Sequence, residues 1–371
     1  MKKKIRIVLA KAGLDGHDRG INIIKDSLIN EGCEVFYFSL YRNLDDIAEI
    51  AVQEGADFIG LSIHSGAHKK YVEKVFERLK NHNALDIGLI LGGIIPEKDE
   101  EFLKEKFGVK KIFVSGTPEA DLNAIKNFFR ENPGRTIAAI TALKTKNDVG
   151  LAISAISNGL EMEKIRENWP GTLTLGVTGP LGAGKSSLTD KLIAEFRTLD
   201  KKVGVITVDP SDFKTDGAPL GRDRTQMWRH LYDSNVHIYS LATRGCQGGI
   251  AEATAKAAEI MRAAGYDIVL IETIGVGQDQ TAIKNIADKV LLVLTPDIGE
   301  DQIYKSGIMQ IADYYILNKT DIINPLKAEK HINEMLDQKN LNIRPLVFKT
   351  ISAAPNNNGV RELVKEINPR I

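Results

Sequence analysis

Cysteine is almost missing from this chain: Cys33 and Cys246 are the only two in 371 residues. They stand far apart and in no metal-ligand spacing, which fits a reducing cytoplasm. Net charge is missing too, since Lys+Arg and Asp+Glu both number 49. That balance excludes nucleic acid and a membrane surface as the main expected partners. The opening Lys2-Lys3-Lys4 is too short for a nucleic-acid arm. No apolar run approaches the roughly 20 residues of a membrane span. The charged start passes straight into a short strand, without the core of a signal peptide. What remains is ordinary: 43% hydrophobic and 26% charged residues, in a length that suits two domains with their own cores.

The stretch TLTLGVTGPLGAGKSS at 172–187 reads as a strand, a glycine turn, and the start of a helix. Gly179, Gly184, Lys185 and Ser186 satisfy G-x-x-x-x-G-K-[ST]. Glycines at Gly179, Gly182 and Gly184 permit dihedrals and close approaches that a Cβ would block. The loop amides and the helix start then face phosphate oxygens, with Ser187 next along the helix. Lys185 reaches the β- and γ-phosphates and the Ser186 hydroxyl sits on Mg²⁺. The strand before and the helix after this loop imply a nucleoside triphosphate site.

Two more strand ends fall in the same crevice. KVGVITVD (202–209) ends in Asp209, and DIVLIET (267–273) runs into ETIGVGQ with Glu272 and Gly275. Asp209 is placed to hold Mg²⁺ or orient water, Glu272 to secure the magnesium shell, and the Gly275 amide to sense the γ-phosphate. Lys185, Asp209 and Glu272 are therefore the expected catalytic set, with Ser186, Asp209 and Glu272 at the metal. The strand YYILN leads into NKTD, residues 318–321. Asn318 and Lys319 brace the loop and cover the base. The Asp321 carboxylate accepts two hydrogen bonds from guanine N1 and N2, a pair adenine cannot make. The Ser352–Ala353 backbone, after another strand, is placed near guanine O6. The nucleotide expected is GTP, with GDP as product.

The first 134 residues alternate strand-like runs with amphipathic helices: IRIVLA (5–10), EVFYFS (34–39), DFIGLSI (57–63), IGLILGG (87–93) and KIFVS (111–115). Such a βα alternation predicts a parallel sheet covered on both faces, with ligands at the carboxyl ends of the strands. In the loop after the first strand, Asp15 and His17 stand two apart and Gly20 follows. An imidazole can ligate a metal through one nitrogen while a carboxylate holds its other N–H. His64 and His68 stand four apart, but they straddle a strand end and a loop, so helical registry for a metal is doubtful.

Asp15, His17 and Gly20 resemble the cobalamin-binding motif of adenosylcobalamin-dependent mutases, and GLSIHSGAHKK (60–70), LGGIIP (91–96) and VSGT (114–117) continue the likeness. The resemblance implies a flavodoxin-like (βα)5 domain in which His17 is the lower cobalt ligand. Ser62, Gly92 and Gly93 then line the cavity for the cofactor's nucleotide tail. His64 departs from it, because the family usually has an apolar residue two after the serine.

The rest of the chain resembles the MeaB/ArgK family of G-proteins through VTGPLGAGKSS, VDPSD, LATRGCQGG (241–249), ETIGVGQ and LNKTD. That likeness implies a metallochaperone-like P-loop GTPase that gates delivery of adenosylcobalamin and discharge of damaged cofactor. Gln226 stands where an arginine is usual, and no C-terminal dimerisation arm is evident, so a homodimer like the family's is left open. The order of the two parts is similar to the N-terminal part of fused isobutyryl-CoA mutases. The expected organisation is α/β throughout: a cobalamin-binding domain at 1–134, a helical linker at 135–171 and a GTPase domain at 172–371. The linker is read as two helices interrupted at NDVG (147–150), either transmitting a nucleotide-dependent movement or serving as a packed spacer.

Together the resemblances imply a cobalamin-binding mutase subunit joined to its own GTP-hydrolysing chaperone. A separate large subunit would bring the acyl-CoA for carbon-skeleton isomerisation, and an adenosyltransferase is a further expected partner. Two alternatives stand beside this reading. One is a corrinoid methyl carrier, although such carriers place a helical cap before the cobalamin domain and this chain enters its first strand by residue 5. The other is a non-catalytic regulator responsive to cobalamin or GTP.

Overall fold

The computed structural model describes residues 3–13, 19–38, 43–114, 118–136, 142–160, 171–212, 214–244, 252–274, 278–297, 308–322, 324–338, 345–353 and 358–367. The chain divides into two compact units. The first holds Met1–Ile165 with Asp209–Arg222 and Tyr239–Gly245, and the second holds Arg166–Val208, Asp223–Ile238 and Cys246–Ile371.

The first unit alternates strand and helix: β1 Arg6–Ala12, α1 Arg19–Asn30, β2 Glu34–Phe38, α2 Leu44–Gln53, β3 Phe58–Ile63, α3 His68–Asn81, β4 Gly88–Gly93, α4 Glu100–Phe107, β5 Val109–Val114 and α5 Pro118–Glu131. Every described pairing is parallel, in the order β5-β4-β3-β1-β2. Strands of such a sheet are covered on both faces, which is why β1 is buried along its whole length. Ile7, Leu9, Val35, Phe58 and Ile90 from the strands pack with Leu28, Ile125 and Phe129 from α1 and α5. A late segment closes the edge: Ala218–Leu220 pairs in parallel with β2 as a sixth strand. Only its three residues take part, too few for any periodicity to mark them in the sequence.

A helix α6, Lys146–Ser157, completes this unit and packs against α2. It opens with a capping box, the Thr145 side chain on the Asp148 amide and the Asp148 carboxylate on the Thr145 amide. The helix runs through 147–150 without a break, contrary to the sequence expectation. Gly150 is there for a close approach: a Cβ on it would lie 2.7 Å from the Val52 carbonyl oxygen at the end of α2. Of the expected linker, 137–141 and 161–170 lie outside the described residues.

The second sheet has seven strands. Taking Ala218–Leu220 as β8, they are β6 Leu173–Thr178, β7 Val203–Asp209, β9 Val236–Ala242, β10 Ile268–Glu272, β11 Lys289–Leu294, β12 Tyr314–Leu317 and β13 Leu346–Lys349. Their order is β13-β12-β11-β6-β10-β7-β9, with β6 near the middle. Helix α7, Lys185–Thr198, follows β6 and lays Leu188, Leu192, Ile193 and Phe196 onto Leu175, Val177, Val203 and Leu270. The helix Asn358–Ile367 adds Val360, Leu363 and Val364 to that core. A central strand feeding a helix puts the connecting loop at the carboxyl edge of the sheet, where ligands of such folds sit.

Candidate functional sites

Each unit carries its own site at the carboxyl ends of its strands. In the first, β1, β3 and β4 stop side by side. Register places Ser62 opposite Lys11 on one side and opposite Gly92 on the other. Gly93 follows at φ 110°, and a Cβ on it would run into the Ile63 carbonyl, so only glycine fits there.

Beneath these ends lies a cavity of about 330 Å³ whose lining includes Gly20, Ser62, Gly92 and Gly93. Four residues scattered over 73 positions in sequence are thus brought to one space by the parallel register. A Cβ on Gly20 would meet nothing within 4 Å, and one on Gly92 only the Phe113 carbonyl oxygen at 3.9 Å. Both glycines therefore leave room that a side chain would fill, which suits an inserted ligand. The other described lining residues are mostly hydrocarbon, with Leu9, Ile24, Leu28 and Phe129 among them, beside His64 and Asp121.

Asp15 and His17 lie outside the described residues. Lys11, only 3% exposed, is a buried lysine near the end of β1 that was not among the expected site residues. A lysine directly after the apolar run Ile7–Ala10 is the signal that marks it. The two histidines of 60–70 part company: His64 lines the cavity, whereas His68 opens α3 and pairs with Asp99 at 2.9 Å.

In the second unit the loop 179–184 wraps between β6 and α7. Gly179, Gly182 and Gly184 have φ of 143°, 80° and 90°, all in the range that favours glycine. The buried Lys185 folds back over this loop and donates to the carbonyls of Gly179 and Pro180, each at 3.1 Å. Burial pulls its pKa down, against the raising fields of Glu272 and Asp223.

The Ser186 hydroxyl donates to Glu272 Oε1 at 2.6 Å and lies 3.2 Å from Asp223 Oδ1. Thr189 donates to the other carboxylate oxygen of Glu272 at 3.0 Å. Glu272 ends β10, 1% exposed, and its pKa is pushed up to about 7, first by burial and then by the charge of Asp223. A serine hydroxyl between two carboxylates forms an all-oxygen cluster of the kind a hard divalent cation takes. Asp223 and Thr189 were not foreseen as members. Asp223 arrives at the start of a distant 3₁₀ helix, Asp223–His230, that carries no spacing signal relative to Ser186, while Thr189 is one turn beyond Lys185 on α7.

Asp209 is buried at the end of β7 and its Oδ2 accepts from the Gly221 amide at 2.9 Å. Gln226, in the turn that follows Asp223, is exposed, while its neighbour Arg224 is buried and donates to the Ile238 carbonyl. Gly275 lies outside the described residues.

Asn318 ties three loops together. Its Nδ2 donates to the Ala183 carbonyl in the phosphate loop at 3.0 Å. Its Oδ1 accepts from the Thr350 hydroxyl, the Ser352 amide and the Ser352 hydroxyl at 3.0, 3.0 and 2.9 Å. Lys319 takes a left-handed φ of 61°, and Asp321 is exposed beyond it. Ala353 is exposed beside the buried Ser352.

Residues 154–370, more than half of the chain, match the family described as methylmalonyl Co-A mutase-associated GTPase MeaB. The chain belongs to that family. Residues 5–122 match the B12 binding domain, so a cobalamin-binding part and a MeaB GTPase part share one polypeptide. The chain is similar to a fused isobutyryl-CoA mutase of Cupriavidus metallidurans, 33% identical over 86% of this chain and 31% of the relative. A fused isobutyryl-CoA mutase of Geobacillus kaustophilus is 30% identical over 98% of this chain and 36% of its own length. A Pyrococcus abyssi protein named as a GTPase is 44% identical over 55% of this chain and 65% of its own. The chain thus spans about a third of the fused mutases it matches. As a family member it combines cobalamin binding with guanine-nucleotide binding. Among its described residues no helix is long and apolar enough to cross a membrane.

Proposed function

We propose that this chain holds the cobalamin of an acyl-CoA mutase and that its GTPase unit gates adenosylcobalamin loading and the release of spent cofactor. One observation carries the reading: a single polypeptide has both a cavity framed by Gly20, Ser62, Gly92 and Gly93 and a phosphate loop whose Ser186 is paired with a buried Glu272. The matches to a B12 binding domain and to a mutase-associated GTPase support it.

Bound adenosylcobalamin supplies a weak cobalt–carbon bond for radical rearrangement. The protein would hold it with His17 as a cobalt ligand, Asp15 fixing the imidazole tautomer, and the cavity receiving the nucleotide tail. In the GTPase unit, Lys185 exchanges its loop carbonyls for the β- and γ-phosphate oxygens. Ser186, Glu272 and Asp223 would hold Mg²⁺, and the Gly275 amide would read the γ-phosphate. Asp209 is assigned to orient water or the metal from its strand-end position. Asn318 keeps the phosphate loop and the 350–352 loop in register, Asp321 reads guanine, and the Ser352–Ala353 backbone meets guanine O6. The partners proposed are a substrate-binding mutase subunit and an adenosyltransferase, in a cytoplasmic setting.

GTP turnover measured with and without a purified mutase large subunit and adenosylcobalamin tests the coupling. An unassisted rate of about 10⁻⁴ to 10⁻² s⁻¹ should rise at least about tenfold with the partner. A rate unchanged at saturating partner would overturn the gating role.

A further inference from the structure

We propose that His64 and Asp121 make this cavity selective for a cobamide whose lower base is a purine, over one carrying dimethylbenzimidazole. The inference rests on the cobalamin reading of the cavity and adds which tail it prefers. Among the described residues lining the cavity, three side chains bear hydrogen-bonding groups: Ser62, His64 and Asp121. The other described lining residues are glycine, leucine, isoleucine or phenylalanine. Hydrocarbon walls pack against the faces of any flat base alike, so discrimination falls to the base's edges.

Ser62 lies in β3 and His64 is the first residue past its end, and both line the cavity. Asp121 comes from the first turn of α5. The imidazole offers one donor and one acceptor, the carboxylate offers acceptors, and the hydroxyl offers both. A purine has ring-nitrogen acceptors and an exocyclic amine or N–H donor on its edge. Dimethylbenzimidazole presents two methyl groups on its outer edge and returns no hydrogen bond there. His64 and Asp121 both have polar or electrostatic partners within the protein. A base that returns their hydrogen bonds replaces those partners on equal terms, and a methyl edge does not.

Sites that read an edge by hydrogen bonds discriminate far more strongly than apolar pockets sized for a methyl group. Because His64 and Asp121 are only half-buried, we set the expected preference at about tenfold rather than the 10⁴ of a sealed site.

The experiment titrates the full chain with adeninylcobamide and with dimethylbenzimidazolylcobamide. Binding is followed by the absorbance change on release of the base from cobalt. Wild type should bind the purine form about tenfold more tightly. His64→Leu should bring the affinity ratio to about one or below, with His64→Gln retaining part of it and Asp121→Asn lowering it. Thermal unfolding of each variant reports folding, and the ratio within one variant cancels any loss of competent protein. Equal affinities in wild type, or a ratio unmoved by His64→Leu, would overturn the selectivity while leaving the cobalamin site intact. Failure of wild type to bind either cobamide would overturn both.

Discussion

Ser186 on α7 donates its hydroxyl to Glu272 at the end of β10, at 2.6 Å, and Thr189 occupies the other oxygen of the same carboxylate at 3.0 Å. The helix that follows the phosphate loop is thereby pinned to the neighbouring strand through one buried acid. Removing the hydroxyl takes away a ligand oxygen, and neutralising the carboxylate takes away charge as well. Ser186→Ala and Glu272→Gln should each lower GTP turnover at least about 100-fold. The Mg²⁺ concentration for half-maximal turnover should rise with them. Steady-state phosphate release across a Mg²⁺ series checks this; a turnover within threefold of wild type in both variants would remove the cluster from the catalytic site.

Asp321→Asn replaces a pair of acceptors with one acceptor and one donor. Guanine N1 and N2 then lose their partner, while the C2 carbonyl of xanthine gains one. GTP affinity should fall at least about 100-fold and xanthosine triphosphate should bind better than GTP. Competition with a fluorescent nucleotide measures both.

Gly92→Leu fills cavity space that now holds no side chain, since only the Phe113 carbonyl oxygen lies near the added Cβ. Cobalamin affinity should drop by about 100-fold or more for loss of that room. GTP turnover without partner should stay within twofold, because the variant lies in the other unit. Absorbance titration and phosphate release separate the two effects.

Glu49 is 2% exposed and accepts from Arg78 and His82 at 2.9 Å and from Lys146 at 3.3 Å. Burial pushes its pKa up, but the hydrogen bond of His82 with the charge of Lys146 outweighs it, and the net pKa lies well below the usual 4.5. For an acid held low, the stabilisation is complete above the unfolded pKa and is lost as pH falls below about 4.5 toward the folded value. Thermal stability should therefore decline from pH 6 to pH 3, and Glu49→Gln should flatten part of that slope. At pH 7 the substitution should cost about 3 kcal/mol, measured by urea unfolding.

Arg6 is fully buried and donates to Glu34 and Glu54 at 2.5 and 2.9 Å and to the Ser240 carbonyl at 2.9 Å. Arg244 donates to the second oxygen of Glu34 at 2.7 Å. Truncating Arg6 to Ala removes the guanidinium shared by two buried carboxylates and should destabilise the protein by roughly 3–5 kcal/mol. The double change Arg6→Met with Glu34→Met should cost less than the two single changes summed. Urea denaturation of the four proteins forms the cycle that decides it.

By itself the sequence determined the local matters. Runs such as IRIVLA and KVGVITVD are apolar over strand length and alternate with amphipathic helices, so two parallel-sheet units were legible. Gly179, Gly184, Lys185 and Ser186 were legible as a phosphate loop, because its dihedrals and its donors all lie within eight residues. Tertiary structure alone decided what distant segments do to one another. It set Ser62 beside Gly92 through strand register, brought Asp223 to Ser186, and gave Ala218–Leu220 a place on the edge of the first sheet. It also turned Gly150 from an apparent helix break into a contact with α2. Strand order and helix packing are fixed by burial summed over a whole core, and no window of sequence contains that sum.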